Sequence, residues 1–342
     1  MTSSDPPLVA ADADPSVVLD DLLATGHGDG LPVVPPTAGR LTAMLAGVRA
    51  PDAVLGLVPP LFGELTVGAV GWYAVLAGCR PVQLPVVVAA CRAALDDAFN
   101  LLGIATTTGA PAVAVLVHGP VAARAGLTSG AGGLGTGNRA NACAGRAVSL
   151  ALAGIGGATA GLTDMATIGS PAKYTCCTAE VPGGPLPSLA VRRGFAADAD
   201  AVTVVGAGSV VEVLPAEGYR DVPDVLAPAA AAMAGVALAA GDPRRARLGE
   251  QFLLMPPELA AYTAQRGWDT ERIAGFLFER GSALLRSGAA GLVAADALGG
   301  LTVAASAADV HVVVTGGAGV KMLLLPGWMG GTRSVSAPVL PL

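Results

Sequence analysis

The glycine-rich segment TSGAGGLGTGNRANACAGRA, residues 128–147, holds the residues best suited to bind a ligand. Its glycines lead into a predicted helix. A helix N-terminus after such a loop offers free backbone amides and the positive end of the helix dipole. The segment therefore predicts a site for a carboxylate or phosphate group. Alternatively, the glycines only let the loop pack beneath a sheet, and Asn138 only caps the helix. The predicted binding residues here are Gly135, Gly137, Asn138, Arg139 and Asn141.

The same segment matches the G-x-G-x-x-G pattern of dinucleotide-binding proteins, but its surroundings do not fit that motif. The motif directly follows a strand, whereas about ten residues separate these glycines from the predicted strand PAVAVLVHG. The motif also needs an acidic residue in a strand about twenty positions later. Asp164 comes later still and lies in a predicted loop. No P-loop sequence occurs, and we predict no cofactor.

A second group of reactive side chains lies in KYTCC, residues 173–177. A lysine near a thiol favours the thiolate, which is the nucleophilic form of cysteine. Cys177 is therefore a candidate nucleophile, with Lys173 and Tyr174 close to it in sequence. The alternative is that Cys176 and Cys177 are small apolar side chains of the core, which is the commoner fate of a free cysteine.

A short turn, GHGDG at residues 26–30, places His27 and Asp29 two residues apart. The two side chains could act as an acid–base pair. Alternatively, Asp29 only accepts hydrogen bonds from the backbone of its own turn. The three histidines of the chain lie far apart in sequence with no metal-ligand spacing, so no metal site is predicted.

The turn TGGAGVK, residues 315–321, could form a second anion site. Gly317 and Lys321 are its predicted binding residues, and Arg333 of the nearby GTRS sequence would add another cation. The alternative is a plain turn between two strands.

The composition limits the classes of function. The chain has 342 residues, of which 53% are hydrophobic and 13% charged, with a net charge of −6. The negative charge and few aromatics argue against nucleic-acid binding, and the low charged fraction suggests a homo-oligomer. No membrane span or secretory leader is evident, so we expect a cytoplasmic protein without membrane association. Five cysteines, an odd number, suit reduced thiols.

Apolar valine-rich runs alternate with helical patterns along the chain, which predicts an α/β fold. We expect mixed or parallel sheets with flanking helices, and two similar α/β halves. Residues 164–180 show no periodicity and are predicted to be an ordered loop. The predicted organisation is a flexible arm over residues 1–15, an α/β domain with the glycine-rich loop over 16–195, and a second α/β domain or half over 196–342.

Several strings together resemble a family of bacterial proteins of unassigned activity, whose genes often lie beside a small UGSC-type (seleno)protein. The resemblance covers about residues 20–200 and resides in DGLPVVPPT, AGCRP, DAFNLLGIATTT, GTGNRANACAGRA, DMATIGSPAKYTCCTAE and RRGF. The resemblance implies that the positions matching the family pattern belong to the functional site. It also suggests thiol or sulfur chemistry with a small partner protein. After Glu180 the chain departs from the pattern with VPGGPLPSLAV, which suggests a specialised paralogue. The positions that match are Asp29, Arg80, Asn138, Arg139, Asn141, Asp164, Lys173, Tyr174, Cys177 and Glu180.

These features predict an enzyme that acts on a small anionic metabolite by thiol-assisted lyase, acyl-transfer or hydrolytic chemistry, in specialised metabolism. Arg80 and Arg139 would hold the anion, Cys177 would supply the thiol, and Asp29 or Glu180 would move protons. The alternatives are a redox or group-transfer subunit that needs a partner protein, and a non-catalytic small-molecule binding protein.

Overall fold

The computed structural model describes residues 7–342, and its helices and strands confirm the predicted α/β fold class. The helices are α1 Pro15–Ala24, α2 Ala38–Met44, α3 Val67–Leu76, α4 Leu84–Ala93, α5 Leu101–Thr106, α6 Val121–Arg124, α7 Arg139–Gly156, α8 Leu189–Arg192, α9 Val222–Ala239, α10 Pro257–Ala264 and α11 Thr270–Gly288. The strands are β1 Val54–Val58, β2 Gly63–Thr66, β3 Ala112–His118, β4 Cys177–Ala179, β5 Ala201–Ala207, β6 Val211–Val213, β7 Gln251–Met255, β8 Val310–Val314, β9 Met322–Pro326 and β10 Val335–Pro338.

Eight of these strands form two mixed sheets of four strands each, and β1 and β2 form a separate hairpin. Sheet 1 has the order β10-β5-β3-β4, in which only β3 and β4 are parallel. Sheet 2 has the order β6-β9-β7-β8, in which only β7 and β8 are parallel.

The two sheets pack face to face, and helices cover the outer face of each. The alternation along β3 shows this arrangement, because successive side chains of a strand point to opposite faces. Val115 and Val117 belong to the apolar cluster with α3, α4 and α7. Ala114 and Leu116 belong to a different cluster with Phe252 of sheet 2. β3 is buried along its whole length, as the continuous apolar composition of the predicted strand PAVAVLVHG indicates.

The two halves share one order of connections but exchange their last strands. In the first half, β3 leads through α6 and α7 to β4 and then to the antiparallel β5. In the second, β7 leads through α10 and α11 to β8 and then to the antiparallel β9. The strand after β5 is β6, which pairs with β9 of sheet 2, and the strand after β9 is β10, which pairs with β5 of sheet 1. Each sheet is therefore completed by a strand from the other half.

The structure adds detail at two segments that the sequence predicted to be irregular. Residues 1–6 of the predicted flexible arm lie outside the described residues, and residues 7–14 are mostly exposed but bond to neighbouring segments at two points. The carbonyl of Pro7 accepts a hydrogen bond from the Trp72 indole at 2.9 Å, and Val9 bonds to Pro36. The predicted loop over residues 164–180 contains β4, whose three residues are too few to produce a recognisable strand pattern.

One described helix, α9, has the length and apolar composition of a membrane span. Its buried side chains, which include Leu226 and Met233, belong to the same apolar cluster as Leu277 of α11. α9 therefore packs with α11 as a helix of the second apolar cluster.

Candidate functional site

A cavity of about 390 Å³ lies at the N-terminus of α7, where the sequence predicted an anion site. Three arginines line it, and among the described residues of its lining none is acidic. In a chain of net charge −6, this cavity therefore concentrates positive charge. We call it the arginine cavity; it is lined by Gly78, Arg80, Val82, Gln83, Ala123, Arg124, Ala125, Gly126, Gly137, Asn138, Arg139 and Ala140.

Local contacts hold the side chains of two of the three arginines, Arg124 and Arg139, and hold Arg80 through its backbone. The Gln83 side chain accepts from the Arg80 backbone amide at 2.9 Å and donates to the Ala125 carbonyl at 3.1 Å, which ties two walls together. Arg139 donates to the Gly78 carbonyl at 3.0 Å. Arg124 is paired with Asp200. In the described part of the chain the Arg80 guanidinium has no ion-pair or hydrogen-bond partner, so its charge is available to a ligand.

The start of α7 is open to a ligand because the Asn138 side chain does not cap the helix. Its side-chain amide donates to the carbonyls of Ala131 and Gly132, at 3.1 and 2.6 Å. The first-turn amides of α7 therefore remain available to an acceptor in the cavity. Asn141 is buried and binds both backbone groups of Thr128, each at 2.9 Å. It shapes the loop rather than lining the cavity.

The glycines of residues 130–137 serve two purposes. Gly137 lines the cavity in a left-handed conformation, with φ of +91°. Gly133 instead packs on β4, because a Cβ there would lie 2.5 Å from the Thr178 hydroxyl oxygen. Gly317 of the second predicted anion turn packs on the same loop, where a Cβ would lie 2.6 Å from that of Ala131. Some glycines of the loop therefore allow close packing against the sheet, and Gly137 instead lines the cavity.

The remaining residues of the second predicted anion turn do not line the arginine cavity. Lys321 pairs with Glu212 on the surface at 3.0 Å, and Arg333 pairs with Asp309 at 2.5 Å. Gly135 lies within the glycine loop, where a Cβ would lie 3.4 Å from the Gly132 carbonyl oxygen.

Cys177 lies in β4 facing α7, and it is only 3% exposed. Burial raises the pKa of its thiol, and the neighbouring Cys176 raises that pKa further. Lys173, which was expected to favour the thiolate, donates from Nζ to Asp164 at 2.5 Å. These contacts favour the core interpretation of Cys177 over the nucleophilic one.

Two other thiols lie beside the arginine cavity. Cys143 follows Arg139 by one turn of α7 and is half-buried. Its sulfur lies 3.6 Å from the position that a Cβ on Gly78 would occupy, which places it against the cavity wall. Burial raises the pKa of Cys79, and the thiols of Cys143 and Cys177 add to that increase, whereas Arg139 opposes it. Neither cysteine is among the residues predicted from the sequence to form the site, although Cys143 stands four residues after Arg139.

The alkylation rates of the cysteines should therefore follow the exposure of each thiol and should not follow the presence of a nearby lysine in the sequence. With a charged alkylating reagent between pH 5 and 9, we expect Cys143 to react first in the native protein. Cys177 should stay as inert as Cys91, which is fully buried, until the chain unfolds. Mass spectrometry of peptides gives each rate. Native-state labelling of Cys177 with an apparent pKa below the ordinary value of about 8.5 would restore it as the nucleophile.

The two predicted proton carriers are held in other contacts. Both carboxylate oxygens of Asp29 accept from Arg146 of α7 at 2.7 Å, which fixes the turn at residues 26–30 to the helix. Glu180 is buried, accepts from the Leu189 amide and bonds His118 at 2.7 Å. Tyr174 is exposed at the surface.

The pair of Glu180 and His118 belongs to a chain of buried and half-buried polar side chains that runs between the sheets. His118 Nε2 bonds the Thr203 hydroxyl at 2.8 Å, which gives the connectivity of a hydroxyl–imidazole–carboxylate triad. Thr203 is fully buried in the middle of β5, however, so a substrate does not reach it. We call the whole chain the inter-sheet network; its members are Glu180, His118, Thr203, Ser336, Arg193, Ser334, Glu250 and His311.

Within residues 7–342, histidine, cysteine and acidic side chains form no group of three that could hold a metal ion. No family model and no curated protein sequence matches the chain.

Proposed function

We propose that the protein is a cytoplasmic enzyme that binds a small carboxylate or phosphate metabolite in the arginine cavity. One observation carries this proposal: Arg80, Arg124, Arg139 and the open start of α7 meet at a cavity whose described lining has no acidic residue. Within residues 7–342, Arg124 is the one arginine of the three that pairs with a carboxylate. Guanidinium groups and helix amides are the groups that bind carboxylates and phosphates in proteins.

For the chemistry we propose a thiol-assisted lyase, acyl-transfer or hydrolytic reaction in which Cys143 supplies the thiol. Cys143 lies against the cavity wall and is half-buried, whereas Cys177 lies in the core. Self-association and a small UGSC-type partner protein remain predictions from the composition and from the family resemblance.

A non-catalytic binding protein is the second candidate. It is favoured by the engagement of Asp29 with Arg146 and of Glu180 with His118, which leaves both predicted proton carriers in structural contacts. The two candidates differ in the effect of Cys143→Ser. This variant should retain anion binding in both cases, and it removes turnover only if the protein is an enzyme of the proposed kind.

Replacing Arg80 by methionine should weaken anion binding about tenfold to a hundredfold. A hydrogen bond to a charged group contributes about 1.5–3 kcal/mol, and each 1.4 kcal/mol is about a factor of ten in Kd. Isothermal titration calorimetry with inorganic phosphate and with succinate measures the loss. Arg139→Met should act in the same direction.

The matched control is Arg92→Met, since Arg92 is an exposed arginine of α4 that does not line the cavity. It should leave both dissociation constants unchanged. The proposal fails if neither anion binds the wild-type protein, or if Arg80→Met and Arg92→Met bind the anions equally well.

A further inference from the structure

A second cavity, of about 130 Å³, lies near the other end of α7. Ala153, in its wall, stands fourteen positions after Arg139 of the arginine cavity, which is roughly 20 Å along a helix that rises 1.5 Å per residue. The two cavities are therefore separate sites. We call the second one the apolar cavity; it is lined by Leu101, Ile104, Ala105, Pro111, Ala112, Val113, Ser149, Leu152, Ala153, Ala158, Asp164 and Lys173.

The walls of this cavity are almost entirely aliphatic. α5, the start of β3 and the second half of α7 contribute leucine, isoleucine, valine and alanine side chains. An engineered apolar cavity of about 150 Å³, lined by leucine, isoleucine and phenylalanine, stays dry and binds benzene. A cavity of 130 Å³ with similar walls suits an apolar body of about six non-hydrogen atoms.

The lining has three polar side chains, Ser149, Asp164 and Lys173, of which the last two form a pair that suits a single uncharged oxygen. The Lys173 ammonium donates to Asp164 at 2.5 Å, and it has three N–H groups. Within the described chain, that is its one hydrogen-bond partner, so two donors remain. The other Asp164 oxygen accepts from the Ala166 amide at 3.1 Å. Because the pair is neutral overall, it favours a hydroxyl group over a ligand with net charge.

The segment that carries Asp164 has apolar side chains in solvent. Leu162 is 74% exposed and Ile168 is 96% exposed. The segment is tied across the end of α5 by Thr167, whose amide donates to the Thr108 carbonyl at 2.9 Å. Asp164 lies between these two residues in sequence and is the part of the segment that lines the cavity.

We propose that the apolar cavity binds a small, largely apolar molecule with one hydroxyl group, and that Lys173 and Asp164 hold this hydroxyl. The proposal is independent of the anion site, because it rests on different residues at the opposite end of α7. It also gives Lys173 a binding role in place of the predicted activation of Cys177.

Phenol and benzene are suitable probes, since they share a ring and differ by one hydroxyl. Calorimetry on the full chain should show saturable binding of both, with phenol bound about tenfold more tightly than benzene. Ala153→Leu should abolish binding of both probes by filling the cavity. Lys173→Met should remove the preference for phenol and retain benzene binding.

The matched control is Ala231→Leu, the same enlargement at an exposed position of α9. It should leave both affinities unchanged. Circular dichroism checks folding, and Ala105→Leu on α5 replaces Ala153→Leu if the latter does not fold. The proposal is overturned if neither probe saturates, if the cavity-filling variants bind as the wild type does, or if phenol and benzene bind the wild type equally.

Discussion

Replacing Glu250 by glutamine is expected to lower the free energy of unfolding by about 3–5 kcal/mol. Glu250 is a buried carboxylate of the inter-sheet network. It bonds His311 Nε2 at 2.9 Å and the Ser334 hydroxyl at 3.0 Å, and Arg193 lies 3.6 Å away. The neutral amide leaves the half-buried Arg193 guanidinium without its counter-charge. Removal of one partner from a buried charged network costs far more than loss of a surface ion pair.

The pH dependence of stability tests the same carboxylate. Burial opposes its ionisation, but hydrogen bonds from His311 and Ser334 outweigh burial and hold the Glu250 pKa below its ordinary 4.5. Burial lowers the His311 pKa below its ordinary 6.5. Both groups thus bind fewer protons in the folded state than in the unfolded state. The stability they contribute is present above their unfolded pKa values and is lost as the pH falls. Below pH 4.5, Glu250→Gln should therefore lose stability less steeply than the wild type.

Glu212→Gln is the control for this prediction. Glu212 pairs with Lys321, and both side chains are mostly exposed. The substitution should change the free energy of unfolding by less than about 1 kcal/mol. Urea titration followed by circular dichroism measures both variants. If Glu250→Gln were as stable as Glu212→Gln, the inter-sheet network would not contribute to stability.

Replacing Gly119 by alanine is expected to destabilise the fold by at least about 3 kcal/mol. Gly119 follows His118 at the end of β3 and has φ of +82°, a left-handed conformation that side chains disfavour. A Cβ there would also lie 2.1 Å from the backbone oxygen of Ala199. Because that atom belongs to the main chain, the contact is relieved only if β3 and the segment before β5 move apart.

Gly241→Ala separates the two causes. Gly241 follows α9 with nearly the same φ, +80°, and within the described chain a Cβ there would meet no atom within 4 Å. Gly241→Ala should therefore lower the free energy of unfolding only by the cost of a side chain in a left-handed backbone conformation, about 1–2 kcal/mol. Thermal and urea unfolding of both variants give the difference. Equal losses would show that the approach of Ala199 to Gly119 does not constrain the fold.

Local patterns in the sequence predict much of the fold because they report on burial. The valine-rich runs at residues 111–119 and 201–208 are strands buried on both faces, as their continuous apolar composition indicates. β4 could not be predicted from its three residues. The exchange of β6 and β10 could not be predicted either, because pairing between distant strands leaves no mark on local composition.

In the candidate site, too, residues that are close in sequence could be predicted together, whereas residues that the fold brings together could not. Gly137, Asn138 and Arg139 are close in sequence, and their place at a helix start could be predicted from the loop itself. Arg124 joins them only through the position of α6, which no local pattern reveals. No local pattern reveals either that Lys173 lines the apolar cavity and not the arginine cavity.

The exchange of β6 and β10 makes the two halves mutually dependent. A break in the chain between residues 214 and 221 would leave each fragment with a three-stranded sheet and one strand that belongs to the other fragment. Each fragment would expose an unpaired sheet edge and offer the strand that fits the other's edge. The halves therefore form a complementing pair that folds together, and neither is a portable module that could be transferred to another protein by itself.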